Sequence, residues 1–164
     1  MRDRVAVTPG WPVALAGLVA IWLTTLWLYR HTLSSMVSTW SSSDTYAHGF
    51  VVPLISLWLV WRIRSDVAQL SPRPSLLTLA LLLPVVLFWF AGDLVTVNAV
   101  TQLALVLMII LAVPAALGWS VTRATAFPLG FLLFAVPIGD FMLPQLMEWT
   151  ADFTVLALRA SGIP

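Results

Sequence analysis

The stretch SSSDTYAHGFVVPLISLWLVW, residues 41–61, contains the side chain best suited to proton chemistry in this protein, His48. An imidazole has the unperturbed pKa nearest neutrality, so it can take up or release a proton at ordinary pH. Gly49 follows it, and Pro53 lies inside the apolar run behind it. As a helix, Phe50 to Trp61 would be about 18 Å long, against a hydrocarbon core of about 30 Å. The span must therefore recruit residues 46–49, or the bilayer must thin, and either way His48 is drawn to the membrane boundary. A helical Pro53 would lack the N–H that bonds the carbonyl of Gly49, leaving a bent helix end with a freed carbonyl beside the imidazole. His48 then has two readings: a residue that bonds headgroups or a neighbouring loop, or a group that takes part in proton chemistry. His31 has no comparable setting and reads as a solvated loop residue.

Two further sets of polar residues stand out. Asn98, Thr101 and Gln102 fall on one helical face, since side chains three and four apart are neighbours. In an apolar span such a face is either glue between helices or the polar wall of a site entered from outside. In DFMLPQLMEWTADFTVLALRASGIP, residues 140–164, Gln145, Glu148, Asp152 and Arg159 lie within about 60° of one another on a helix. That helix either lies in the outer interface with its stripe to water or stands upright with the stripe to the bundle interior. Glu148 and Asp152 are one turn apart, as an acid–base pair could be, and amphipathicity alone accounts for the spacing. There is no cysteine, hence no thiol nucleophile, disulfide or thiolate-bound metal from these residues. A glycine-rich phosphate loop, a His-x-x-x-His pair and a Gly-x-Ser-x-Gly elbow are also missing, so neither a metal nor a cofactor is expected.

The elements that position these residues follow from composition. Of the 164 residues 60% are hydrophobic and 9% charged, where a soluble domain has roughly 45–50% apolar residues. The chain reads as an all-α polytopic membrane bundle forming one domain over 1–164. Its formal charge is +1 and all eight basic residues are arginine, which leaves no basic surface for nucleic acid; membrane lipids are the expected surroundings. Spans of about 20 apolar residues fit at 13–29, 46–61, 75–91, 94–113 and 124–138, with a sixth helical stretch at 141–160. The basic start MRDR leads into a run that lacks a small-residue cleavage site and reads as an uncleaved anchor. With the N-terminus inside, Arg2, Arg4, Arg62, Arg64, Arg73 and Arg123 are cytoplasmic, and Arg30 and Arg159 outside. Asp44, Asp93, Asp140, Glu148 and Asp152 then lie on or near the outer face. Trp40 and Tyr46 outside, and Trp58, Trp61 and Trp119 inside, are expected as interfacial aromatics.

Two stretches carry a family resemblance. SDTYAHGFVVPLISLWLVW resembles the N-terminal signature of the exosortases, polytopic transpeptidases of the bacterial inner membrane, through Tyr46, His48, Gly49, Pro53, Ser56 and Trp61. FPLGFLLFAVPIGDFMLPQLMEWTADFTVLALRASGIP, residues 127–164, is similar to the family's second conserved segment, ending in Gly-Ile-Pro, closest to the branch linked to exopolysaccharide loci. The resemblance covers essentially the whole chain. It implies a cysteine nucleophile assisted by an arginine and a further histidine. Such an enzyme cuts proteins carrying a C-terminal Pro-Glu-Pro sorting tail at the outer face of the inner membrane. In the family those three residues lie beyond the position of Pro164, the cysteine in a Cys-Ser-Gly motif. The chain is therefore expected to be the N-terminal part of such an enzyme, contributing substrate docking and the outer-face surroundings, with His48 in a supporting role. A non-catalytic scaffold or inactive fragment is the alternative; a small transporter is weakened by the lack of midplane charge and of an inverted repeat.

Overall fold

A computed structural model describes residues 10–141 and 143–161, apart from the side chains of Asp140, Phe141 and Leu143. Arg2, Arg4 and the closing Gly-Ile-Pro lie outside the described residues. Within them every regular element is helical, as the composition requires. Helix α1 (Trp11–Leu28) runs into α2 (Arg30–Ser42) through Tyr29, and Leu33 N–H still reaches the Tyr29 carbonyl at 3.0 Å. A 3₁₀ turn, Ala47–Phe50, opens α3 (Val51–Arg62), which is followed by the short α4 (Arg64–Ala68). Helices α5 (Leu76–Leu94) and α6 (Asn98–Ala116) form a hairpin. The chain then climbs through α7 (Trp119–Ala124), α8 (Ala126–Phe131) and the 3₁₀ turns Leu132–Ala135 and Ile138–Phe141 to α9 (Leu143–Ala160).

Among the described residues three helices, α1, α5 and α6, are long and apolar enough to cross a bilayer, and the stretches Ala47–Arg62 and Ala126–Ala135 are shorter apolar helices that pack together. Helix α6 is the central post. Its side chains from Thr101 to Ala116 are mostly buried, whereas α1 and α5 bury two residues each and turn rows of Leu, Val and Phe outward. Apolar side chains facing outward are not a defect here, because lipid tails are as apolar as leucine; shape and hydrogen bonds then hold the helices together. Indole donors supply several of these bonds across helices: Trp22 Nε1–H to the Ile109 carbonyl (3.0 Å), and Trp11 Nε1–H to that of Leu70 (2.9 Å). Ser56 Oγ–H donates to the Pro128 carbonyl, tying α3 to α8.

The α5–α6 turn differs from the expected span boundary at 94. Thr96 N–H bonds the Asp93 carbonyl (3.1 Å) and Val97 N–H that of Gly92 (2.9 Å). These two bonds make a Schellman cap, in which the residue after the cap is left-handed and usually glycine. Here it is Thr96, at φ 55°, a β-branched residue in a conformation costing it about 1–2 kcal/mol. At the other end, Arg73 N–H bonds the Leu117 carbonyl (3.1 Å) beside Gly118, whose φ is +87°. Arg62, Arg64, Arg73 and Arg123 share that end of the bundle with Trp11, and a core of Trp11, Val67, Leu117 and Val121 closes it.

Candidate functional site

The turn carrying His48 is built from local bonds. Tyr46 N–H bonds the Ser43 carbonyl (3.1 Å) and Gly49 N–H that of Tyr46 (2.9 Å). His48 Nδ1 lies 2.9 Å from the Thr45 carbonyl oxygen. A carbonyl only accepts, so it is Nδ1–H that donates here, which leaves Nε2 directed away from this bond. The ring is exposed, 6.4 Å from that of Tyr46 between centroids.

Gly49 is the seat of this turn. It is buried, and Trp40 of α2 lies directly over it, only 8% exposed. The indole N–H donates to the Ala135 carbonyl at 2.8 Å, and the ring meets Phe50 edge-on at 5.2 Å. The sequence suggested an interfacial Trp40; in the structure it is instead the bolt between α2, the His48 turn and the segment after α8. An indole needs one acceptor, and the 3₁₀ turn Leu132–Ala135 offers a carbonyl that the chain's bend leaves accessible. Met36, Val52, Val106 and Val136 complete the apolar packing around it.

Above this seat is a cavity of about 400 Å³ lined by Tyr46, His48, Gly130, Phe134, Val136 and Gly139. The Tyr46 phenol oxygen fits against Gly139, where a Cβ would stand 2.7 Å from it. The two family-like stretches therefore meet in space at this cavity, one supplying the polar rings and the other the apolar wall. That wall was not evident from the sequence; the only signal for it was the second stretch of family resemblance.

Pro53 is the third residue of α3, directly after the 3₁₀ turn that carries His48, and the His48 ring bonds the Thr45 carbonyl. The Pro53 ring lines a separate apolar cavity of about 310 Å³ with Trp22, Ile109 and Leu132. Asn98 and Gln102 are not with His48 either. Asn98 borders a polar cavity between α2, α5 and α6, and Gln102, 1% exposed, donates from Nε2 to Ser35 Oγ at 3.2 Å. Gln102 joins two helices through Ser35, and Asn98 and Thr101 line the cavity. Glu148 and Asp152 are exposed on α9, with Gln145 Nε2 donating to Glu148 Oε2 at 3.3 Å. Every described side chain of α9 is exposed, and neither carboxylate is among the residues that line the His48 cavity. Among the described residues no group of three His, Asp or Glu side chains could hold a metal ion.

A family model described as transmembrane exosortase matches residues 40–164, beginning at Trp40 and including every residue of the His48 cavity. No curated protein and no solved structure matches the chain.

Proposed function

The chain belongs to the transmembrane exosortase family, and from that premise we propose that it forms the outer-face part of a membrane-embedded, cysteine-type sorting peptidase or transpeptidase. Its substrates are proteins with a C-terminal sorting tail, and its place is the bacterial inner membrane with the N-terminus cytoplasmic. The observation that carries this reading is the anchored imidazole: His48 held through Nδ1 on the Thr45 carbonyl, with Nε2 free of that bond, at the rim of a mostly apolar cavity. A thiolate attacking a peptide carbonyl needs a base or a positioned acceptor and surroundings that exclude bulk water. The 164 residues contain no cysteine, so the thiol is not supplied by them. Within them His48 is a positioning residue, accepting a proton or hydrogen bond at Nε2, and Tyr46 flanks it.

In an enzyme carrying this segment together with the thiol, His48→Ala is expected to lower cleavage of a sorting-tail reporter about 100-fold, the low end for an acid–base group. Folding should be unchanged, because the ring is exposed and its one recorded hydrogen bond is local. His48→Gln, which keeps an acceptor, should fall between. Full cleavage by His48→Ala would remove His48 from the reaction. Orientation has its own check. Because the 164 residues contain no cysteine, Ser42→Cys in this segment alone is a clean reporter, expected to react with an impermeant maleimide in intact spheroplasts, and protection would invert the arrangement.

A further inference from the structure

At the other end of α2 from Trp40 lies a second cavity, about 350 Å³, which shares no residue with the His48 site. Its walls include Tyr29, Thr32 and Ser35 from the α1–α2 junction, Trp89 and Asp93 from α5, and Asn98 from α6. The walls are held firmly. Trp89 Nε1–H donates to Thr32 Oγ1 at 3.0 Å, the Tyr29 and Trp89 rings meet edge-on at 4.7 Å, and Thr101 Oγ1–H bonds the Asn98 carbonyl at 2.9 Å. Behind Ser35, the amide of Gln102 is anchored by its nitrogen while its Oε1, buried, has no partner. The strained Thr96 sits in the turn that presents Asp93 on one side and Asn98 on the other, and strain of this kind persists where surrounding structure over-determines it.

We propose that this cavity binds a primary ammonium group, that of an aminophospholipid headgroup. Asp93 supplies the one carboxylate among the lining residues, and no arginine or lysine lines the cavity to neutralise it. Two aromatic rings stand beside it, and ring faces attract cations. The other titratable side chains on the wall are Tyr29 and His31, and the neighbouring Arg30 is drawn aside over the Trp27 ring, 5.7 Å from its centroid. The C-terminal end of α5 and the N-terminal end of α6 meet here, so their dipoles offset and Asp93 sets the sign.

Depth selects the source. Leu28, on the wall, is 58% exposed, and Leu94 and Val95 beside Asp93 are 67% and 65% exposed. The opening therefore lies where apolar spans end, at headgroup level. A contact with one exposed carboxylate is weak, and a lipid already confined to the bilayer meets it at high effective concentration.

The test is lipid retention by the purified chain in native mass spectrometry. Phosphatidylethanolamine is compared with its N-acetyl derivative of identical acyl chains, which lacks the charge. Retention of the amine form is expected to be about fivefold higher, and Asp93→Asn, still helical by circular dichroism, should make the two equal. Displacement by millimolar free ethanolamine would keep the ammonium site and assign it to a soluble amine. Equal retention by the unaltered chain overturns the proposal whether or not the variant folds. A preference that survives both Asp93→Asn and Trp89→Leu overturns it too, placing the amine elsewhere. Neither outcome bears on the role of His48.

Discussion

Gly118→Ala should unfold the arginine-bearing end of the bundle, with a loss of about 3–5 kcal/mol in a denaturant titration in mixed micelles. Two costs combine. Gly118 has φ +87° and ψ 167°, a region that only glycine occupies readily, so any Cβ strains the backbone. That Cβ would also overlap the carbonyl oxygen of Arg73 and stand 2.9 Å from its carbonyl carbon. The obstacle is main chain, which cannot swing away as a side chain would. Arg73 and Ser75 N–H groups bond the Leu117 and Ala115 carbonyls here, so separation of the two segments also breaks two hydrogen bonds. Gly17→Ala is the control: no heavy atom lies within 4 Å of its Cβ position, and within helix α1 alanine is intrinsically favoured by about 1 kcal/mol. A Gly118→Ala protein as stable as the Gly17→Ala protein would mean that the Arg73 segment does not pass where the structure has it.

Gly49→Ala is expected to cost about 2–4 kcal/mol and, with His48 in its proposed role, to abolish cleavage. A methyl at this position would run into the Trp40 indole, lying 2.5 Å from Cδ1 and Cε2. For it to fit, the ring must move, breaking the 2.8 Å bond to the Ala135 carbonyl and leaving a buried donor and acceptor unpaired. The damage reaches the cavity from both sides, because His48 precedes Gly49 and Val136, on the wall, follows Ala135. A double-mutant cycle checks the mechanism. With Trp40→Leu in place the added methyl should cost less than about 1 kcal/mol, since the indole that opposes it is gone. Equal costs in both backgrounds would exclude the indole as the reason for glycine at 49. The downfield indole N–H resonance of Trp40 should also shift in Gly49→Ala.

These two glycines differ in how far the sequence exposes them. Gly49 belongs to the family-like Tyr-x-His-Gly, so the position drew notice, though what lies against it did not. Gly118 lies between apolar stretches, and no residue near it in the chain marks the conformation it takes. Its conformation and its contact with Arg73 are products of two segments separated by more than forty residues.

Hydropathy is a sum over neighbours in the chain, and so the sequence by itself determined the helical membrane class and the long helices at Trp11–Leu28 and Leu76–Leu94 nearly to their ends. It also singled out His48, because a titratable ring at the mouth of an apolar run is visible in one dimension. The start of α6 was placed four residues early because its turn is closed by Thr96, and no glycine marks the left-handed position. Only the tertiary structure decided that Trp40 is buried, that Pro53 faces an apolar cavity, and that α2 separates the polar groups into two sites. In lipid the helices gain little from burying apolar surface against one another, so their arrangement is set by shape and by a few hydrogen bonds between distant residues, such as Trp40 to Ala135 and Gln102 to Ser35. Such bonds have no period along the chain and leave no trace in its composition.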